Sequence, residues 1–234
     1  MKKSHNRKEK EIQMIDIKDI ENRIINADCL DILKQLPDKC IDLVLTDPPY
    51  GIGESCGKNK TRSHACQATD YGNKDWDKSI PSKKIFDEIF RVSKNQIIFG
   101  GNYFVEYLHN SNCWLVWDKL NGKNDFADCE LAWTSFKSAV RKYTFLWNGM
   151  LQQNMKNKEK RIHPTQKPTD LFGMILRDYS KEGDLILDPF SGSGTTARAC
   201  HNLKRRFICV EKDFDYWKAS VKSLEDYQRQ GVLF

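Results

Sequence analysis

The sequence lacks several features that would assign it to a specialised class of protein. None of its eight cysteines forms a CxxC pair, and Cys56, His64 and Cys66 fit no common zinc spacing because a fourth ligand is missing. No apolar run approaches the length of a membrane-spanning helix, and no apolar signal core follows the basic N-terminus. We therefore expect a soluble, cytoplasmic protein with reduced cysteines and no metal site.

Positively charged residues are in small excess over negatively charged residues. The 38 Lys and Arg residues exceed the 32 Asp and Glu residues by 6, and the sequence pI is about 8.8. This balance suits a nucleic-acid partner without requiring one. With 234 residues, 39% of them hydrophobic, the chain can bury the core of one domain. The cysteines predicted to belong to that core are Cys29, Cys113, Cys129 and Cys209.

Apolar segments with the pattern of strands alternate with segments that have the pattern of helices. The predicted strands are 23–27, 41–46, 96–100, 113–119, 129–136, 140–147, 184–190 and 206–212, and the predicted helices begin near 28, 83, 102, 169, 195 and 214. This order indicates an α/β sheet covered on both faces, with the ligand site beyond the carboxyl ends of the parallel strands.

Composition also divides the chain into a single domain and less regular segments. We predict a flexible basic segment at 1–18 and one catalytic domain at 19–234. Within the domain, 54–80 is polar and contains glycine, which is typical of a long mobile loop. A short basic insert is predicted at about 147–162.

One predicted strand ends in an unusual tetrapeptide, Asp47-Pro48-Pro49-Tyr50. Two prolines lock φ and remove two backbone donors, so neither a strand nor a helix continues there. The tetrapeptide therefore fixes an acid and an aromatic ring in a rigid turn at the carboxyl end of a buried strand.

A glycine-rich turn follows a later strand, in LILDPFSGSGTTARA. Gly192, Gly194 and Ala197 fit the GxGxxA pattern, in which small residues let a ligand approach the backbone at a helix N-terminus. Glu211 ends the next strand, where an acid can accept hydrogen bonds from ribose hydroxyls. The absence of GK[ST] excludes a phosphate-binding P-loop, and Asp188 suits a cationic amino-acid moiety. This turn alone leaves open a nicotinamide oxidoreductase, or glycines that serve only the backbone.

The tetrapeptide and the glycine-rich turn together resemble the β group of amino-DNA methyltransferases that use S-adenosylmethionine. The catalytic motif comes early in the chain and the cofactor turn comes late, as in that circularly permuted group, and 163–168 (HPTQKP) is similar to a further cofactor motif. The resemblance implies a Rossmann-like fold with a mixed seven-stranded sheet. The residues that it assigns to the cofactor are Asp28, Asp47, His163, Thr165, Gln166, Lys167, Asp188, Phe190, Ser191, Gly192, Gly194, Thr195 and Glu211.

The resemblance also implies a chemistry for the tetrapeptide. An exocyclic amine is a poor nucleophile because its lone pair is delocalised into the ring of the base. Asp47 and the carbonyl of Pro48 can accept both N–H bonds and free the lone pair, Pro49 keeps the turn rigid, and Tyr50 can stack on the flipped base. The acid at the first position favours adenine N6 as the target, with cytosine N4 as the alternative. The intact motifs argue against a catalytically silent nucleic-acid-binding protein.

The expected partner is DNA; no membrane contact is expected, and a homodimer is left open. Relatives carry a recognition insert before the HPTQKP-like motif, and the corresponding segment here is short and basic. Its cations Lys156, Lys158, Lys160 and Arg161 are predicted to contact phosphates rather than bases.

Overall fold

The computed structural model describes residues 13–53, 77–122, 127–148 and 151–229. The helices are α1 (Ile17–Ile20), α2 (Cys29–Gln35), α3 (Lys83–Val92), α4 (Thr169–Tyr179), α5 (Thr195–Asn202) and α6 (Phe214–Arg229). The strands are β1 (Arg23–Asn26), β2 (Ile41–Thr46), β3 (Ser93–Phe99), β4 (Trp114–Asp118), β5 (Cys129–Thr134), β6 (Arg141–Thr144), β7 (Trp147–Asn148), β8 (Leu151–Gln152), β9 (Leu185–Asp188) and β10 (Arg206–Glu211).

Most strands form one mixed sheet in the order β1-β10-β9-β2-β3-β5-β4-β6. The first five strands of this order are parallel, β5 is antiparallel to both β3 and β4, and β6 is parallel to β4. The sheet has eight strands rather than the seven implied by the resemblance, because β6 pairs with the outer edge of β4. Strands β7 and β8 form a separate hairpin.

The central strands are buried on both faces, as the predicted α/β class requires. Along β2, Leu43 and Leu45 join one hydrophobic cluster, and Val44 joins the other. This alternation follows from the two-residue period of a strand. The first cluster includes residues of α4 and α5, and the second includes residues of α2 and α3. The prediction of helices on both faces is therefore confirmed.

Two local predictions were wrong, those of a helix and of a buried cysteine. The predicted helix at 102–109 is only a short 3-10 turn, Gly101–Tyr103, which follows Gly100 in the left-handed region at φ 67°. Cys129 was predicted to belong to the core but is exposed, at the first residue of β5. Within the segment predicted to be flexible, the backbone N–H of Ile15 donates to the carbonyl of Gln35 at 3.0 Å, and α1 begins at Ile17. Residues 1–12 lie outside the described residues.

Most of the predicted mobile loop, 54–76, also lies outside the described residues, together with Cys56, His64 and Cys66. The residues that flank this segment are joined by hydrogen bonds. The Gly51 N–H donates to the carboxylate of Asp77 at 2.8 Å, and the Gly53 N–H donates to the Asp77 carbonyl at 3.2 Å. Through these two hydrogen bonds, Asp77, which is almost fully buried, holds both ends of the segment beside the tetrapeptide.

Two features are absent from the described residues. None of their helices is both long and apolar enough to cross a bilayer. They also contain no group of three or more His, Cys, Asp or Glu side chains arranged to hold a metal ion.

Candidate active site

A cavity of about 940 Å³ lies at the carboxyl ends of β1, β2, β9 and β10. The structure brings most of the predicted site residues to this cavity, although they are up to 183 positions apart in the chain. The predicted residues that line it are Asp28, Asp47, Pro48, Pro49, Tyr50, His163, Thr165, Gln166, Lys167, Asp188, Phe190, Ser191, Gly192, Thr195 and Glu211. Gly194 and the four predicted phosphate-binding residues do not line it.

Both carboxylate oxygens of Asp47 accept hydrogen bonds from side chains. The Tyr50 hydroxyl donates to Oδ1 at 2.5 Å, and the Lys167 ammonium donates to Oδ2. Burial raises the pKa of Asp47 above its usual range, and the charge of Lys167 only partly offsets this. Burial and the neighbouring carboxylate raise the pKa of Tyr50 well above its usual value, so that its hydroxyl remains a donor.

Lys167 joins Asp47 to two residues that the sequence analysis did not identify. Its Nζ lies 3.2 Å from Oε2 of Glu130, and the other Glu130 oxygen lies 2.5 Å from Nζ of Lys119. Burial opposes ionisation of Glu130, but Lys167 and Lys119 outweigh it and lower the Glu130 pKa. Burial also opposes the charge on Lys167, but the two carboxylates outweigh it and raise the Lys167 pKa. A single acid in an otherwise apolar strand is the signal that could have identified Glu130.

Tyr50 is held in place by the turn that follows β3. A Cβ atom at Gly100 would lie 2.1 Å from Cε1 of Tyr50, so only glycine permits this approach. The ring of Tyr103 stacks on the ring of Tyr50 with a centroid distance of 4.8 Å and an interplanar angle of 13°. Tyr103 remains 43% exposed. Tyr103 therefore occupies one face of the Tyr50 ring.

The glycine-rich turn contacts the carboxylate of Glu211. The N–H of Gly192 donates to one oxygen at 2.8 Å, and the N–H of Asp213 donates to the other at 2.7 Å. Burial raises the pKa of Glu211 to about 7, although both hydrogen bonds favour its ionised form. Gly194 has φ 75°, and an added Cβ would lie 3.2 Å from side-chain atoms of Ile24 and Ser220. The structure therefore explains Gly194 by its positive φ and by close packing against β1 and α6.

Asp188 lines the cavity but directs its hydrogen bonds to the protein. Its oxygens accept from the hydroxyl of Thr46 at 2.7 Å, the hydroxyl of Thr196 at 2.5 Å and the N–H of Phe190 at 3.1 Å. Burial raises the pKa of Asp188 to about 6. These contacts tie together the ends of β2 and β9 and the start of α5.

Two further predicted residues have structural partners as well as a place at the cavity. Asp28 caps α2 by accepting from the N–H of Leu30 at 3.0 Å, and it pairs with Lys212 at 2.9 Å. Its pKa is lowered, mainly by the hydrogen bond from Lys212. The ring of His163 packs against the ring of Tyr216 at 4.3 Å.

The basic segment is more ordered than its composition predicts. Lys156, Lys158 and Lys160 are exposed, whereas the guanidinium of Arg161 lies 4.5 Å from the ring centroid of Trp147. Between them, Glu159 accepts from the N–H and the hydroxyl of Thr169, at 2.8 Å each. Glu159 thereby anchors the segment to the N-terminus of α4.

Comparisons with known proteins agree with this arrangement. A family model described as DNA methylase matches residues 117–222. Among curated proteins, the type II methyltransferase M.HinfI of Haemophilus influenzae is 26% identical over 90% of this chain and 70% of its own length. M.HpaI of Haemophilus parainfluenzae is 27% identical over 88% of this chain and 75% of its own length.

Solved structures share the fold. The crystal structure of an M1.HpyAVI–SAM complex has a TM-score of 0.55 at 24% identity, covering 86% of this chain and 98% of the other. The cytosine-N4-specific PvuII DNA methyltransferase has a TM-score of 0.54 at 16% identity, covering 88% and 91%. The tetrapeptide and the glycine-rich turn meet at one cavity, in the motif order of the β group. The chain is therefore similar to the DNA methylases in its family model, its curated relatives and its fold.

Proposed function

We propose that this protein transfers the methyl group of S-adenosylmethionine to the N6 amine of a flipped adenine in DNA. The observation that carries the proposal is that Asp47, followed by two prolines and Tyr50, lines the same cavity as Glu211 and the glycine-rich turn. A hydrogen-bond acceptor for an amine and a nucleoside-binding turn therefore lie within reach of one another.

The donors and acceptors of the cavity fit this cofactor. Glu211 is level with Asn26 of the neighbouring strand, so the Asp28 carboxylate lies beside it at the same edge of the sheet, where ribose and adenine would bind. Phe190 and Phe214 add apolar surface to the cavity wall. The ammonium of Lys167, which was predicted to bind the cofactor, pairs instead with Asp47 and Glu130. When bound, S-adenosylmethionine supplies an electrophilic methyl group.

The residues of the tetrapeptide act on the target amine. The Asp47 carboxylate accepts one N–H bond and the Pro48 carbonyl accepts the other, which draws the nitrogen toward tetrahedral geometry and frees its lone pair. The prolines fix both acceptors before the reaction, so little reorganisation is needed. Tyr50 holds the base by stacking after it has left the duplex. The cation of Lys167 supports Asp47 in this role, because its charge opposes the rise in the Asp47 pKa that burial causes.

Cytosine N4 is the second candidate target. The structural similarity to a cytosine-N4-specific methyltransferase favours it, because the same fold can present either amine to the same acceptors. The acid at the first position of the tetrapeptide favours adenine, since cytosine-N4 relatives more often carry serine there.

The test is mass spectrometry of nucleosides from DNA incubated with the purified protein and S-adenosylmethionine. We expect N6-methyladenine with the wild type and none with the Asp47→Ala variant. N4-methylcytosine in place of N6-methyladenine would support the second candidate. Cofactor binding without either product on a DNA library of all short sites would contradict the proposal.

A further inference from the structure

Glu130 is a partly buried acid that belongs to none of the motifs that carry the family resemblance. It lies on β5, and 20% of its side chain is exposed. Its Oε1 lies 2.5 Å from the ammonium of Lys119. Its Oε2 is buried and accepts no hydrogen bond from the described residues, although the Lys167 ammonium is 3.2 Å away. The Oε2 atom of Glu130 is therefore available to accept a hydrogen bond from Lys167.

The position of Lys167 creates a conflict at Asp47. Each oxygen of Asp47 already accepts from one donor, Tyr50 or Lys167, so a target amine that approaches either oxygen competes with that donor for the acceptor. The Lys167 side chain is only 6% exposed, and a buried ammonium that leaves one carboxylate needs another anion nearby. Glu130 is such an anion, and Lys167 already touches it.

We propose that Glu130 is a positioning residue for methyl transfer: it receives the ammonium of Lys167 when the target amine takes that place at Asp47. The inference rests on the proposed function. The movement is short, because Nζ lies within ion-pair distance of both carboxylates. The charges of Lys119 and Lys167 balance those of Asp47 and Glu130 before and after the movement. Asp47 therefore stays ionised and free to accept a hydrogen bond from the target amine.

The test compares Glu130→Gln with the wild type in single-turnover methylation at saturating cofactor and DNA, over a range of pH. Without Glu130, the ammonium remains on Asp47 and competes with the target amine, so we expect the plateau rate to fall at least about tenfold. The negative charge of Glu130 adds to burial in raising the Asp47 pKa. Its removal should therefore move the acid limb of the rate profile to lower pH.

Two variants serve as controls. Glu88→Gln removes an acid of similar exposure, 23%, that pairs with Arg91 at 2.7 Å on α3, outside the cavity lining, and should leave the plateau and the limb unchanged. Glu130→Asp keeps the charge and should recover part of the lost rate. Cofactor affinity by calorimetry should be the same in all these variants, because Glu130 does not line the cavity.

A wild-type plateau in Glu130→Gln would overturn the inference. So would a lower plateau with an unmoved acid limb, because a general disturbance of the fold lowers the rate without changing the Asp47 pKa in this direction. A wild-type protein that binds the cofactor and methylates no DNA would instead contradict the proposed function, and the two failures are therefore distinct.

Discussion

At the scale of single residues, the site depends on carboxylates that are buried but kept ionisable. Asp47, Asp188 and Glu211 all have raised pKa values because burial disfavours their charge. Each accepts hydrogen bonds or faces a cation, which limits the rise. The protonation of such carboxylates responds strongly to changes in pH, ligand or partner. Mutations at these residues are therefore the best tests of the site.

Asp47→Asn should bind the cofactor and DNA nearly as the wild type does but lose turnover. The amide is a weaker acceptor, and loss of one preorganised electrostatic contact commonly costs about 10²–10³ in rate, or roughly 3–4 kcal/mol. Single-turnover methylation measures the rate, and calorimetry measures both affinities. A variant that methylates at the wild-type rate would show that Asp47 is not the catalytic acceptor.

Cofactor affinity should weaken as the pH falls below about 7. The pKa of Glu211 is raised to about 7, so the carboxylate that we propose accepts from ribose hydroxyls becomes protonated in this range. Binding favours the ionised form, and affinity must therefore rise with pH through the Glu211 pKa and level off above it. Calorimetric titrations from pH 6 to 8 should show this, and Glu211→Gln should bind weakly with no such pH dependence. The same slope in Glu211→Gln would assign the titration to another group.

At the scale of elements, turns at the ends of strands place the functional side chains. The turn after β3 holds Tyr50 through Gly100, the turn after β9 presents Gly192 to Glu211, and the segment before α4 is fixed by Glu159. The strands themselves contribute few side chains to the cavity, which leaves the sheet free to act as a rigid support.

Gly100→Ala should reduce methylation far more than Gly122→Ala. Both glycines have φ near 67–68°, so alanine costs each about 1–2 kcal/mol of backbone strain. Only at Gly100 does the added Cβ collide with the Tyr50 ring; at Gly122 it would meet no described atom within 4 Å. Urea unfolding measures the shared strain, and single-turnover rates measure the displacement of Tyr50. Equal rates in the two variants would contradict a role for the Tyr50 position.

Neutralising the basic segment should weaken binding to all DNA sequences alike. The triple variant Lys156→Gln, Lys158→Gln, Lys160→Gln removes exposed point charges and leaves Arg161 against Trp147. Each lost phosphate contact should reduce the slope of log K against log salt by about 0.9. Fluorescence anisotropy at several salt concentrations gives the slope. The matched control neutralises three exposed lysines outside the cavity lining, Lys137, Lys142 and Lys181. A changed site preference with an unchanged slope would indicate base contacts instead.

At the scale of the whole molecule, the sheet brings together motifs that are far apart in the chain. The strand order puts β9 between β2 and β10, so the tetrapeptide, the glycine-rich turn and Glu211 meet at one edge. A ligand in this cavity contacts several strand ends at once and should stabilise the domain as a unit.

S-adenosylmethionine should therefore raise the melting temperature. At a concentration 100 times Kd the ligand stabilises the folded state by about 2.7 kcal/mol. For a domain of this size, each 1 kcal/mol shifts the melting temperature by roughly 2–4 °C. Asp47→Asn should show the same shift, whereas Glu211→Ala should lose most of it. An equal shift in Glu211→Ala would place the cofactor away from the glycine-rich turn.

The sequence alone determined the features that depend on local pattern. Alternating apolar segments identified all strands of the main sheet and nearly all the helices. The tetrapeptide and the glycine-rich turn indicated the resemblance to amino-DNA methyltransferases, because such motifs need particular residues at fixed spacing. The helix predicted after β3 was wrong, since helical periodicity cannot reveal that Gly100 must turn to admit the Tyr50 ring.

The tertiary structure alone decided which distant side chains meet. Asp47, Lys167, Glu130 and Lys119 come from four separate segments, and only the pairing of the strands and the position of the segment before α4 bring them into one chain of ion pairs. The tertiary structure also places Gly194 against Ile24 and Ser220. In addition, it anchors the basic segment to α4 through Glu159. Long-range contacts of this kind do not correspond to any fixed residue spacing in the sequence, because packing of the whole domain determines them.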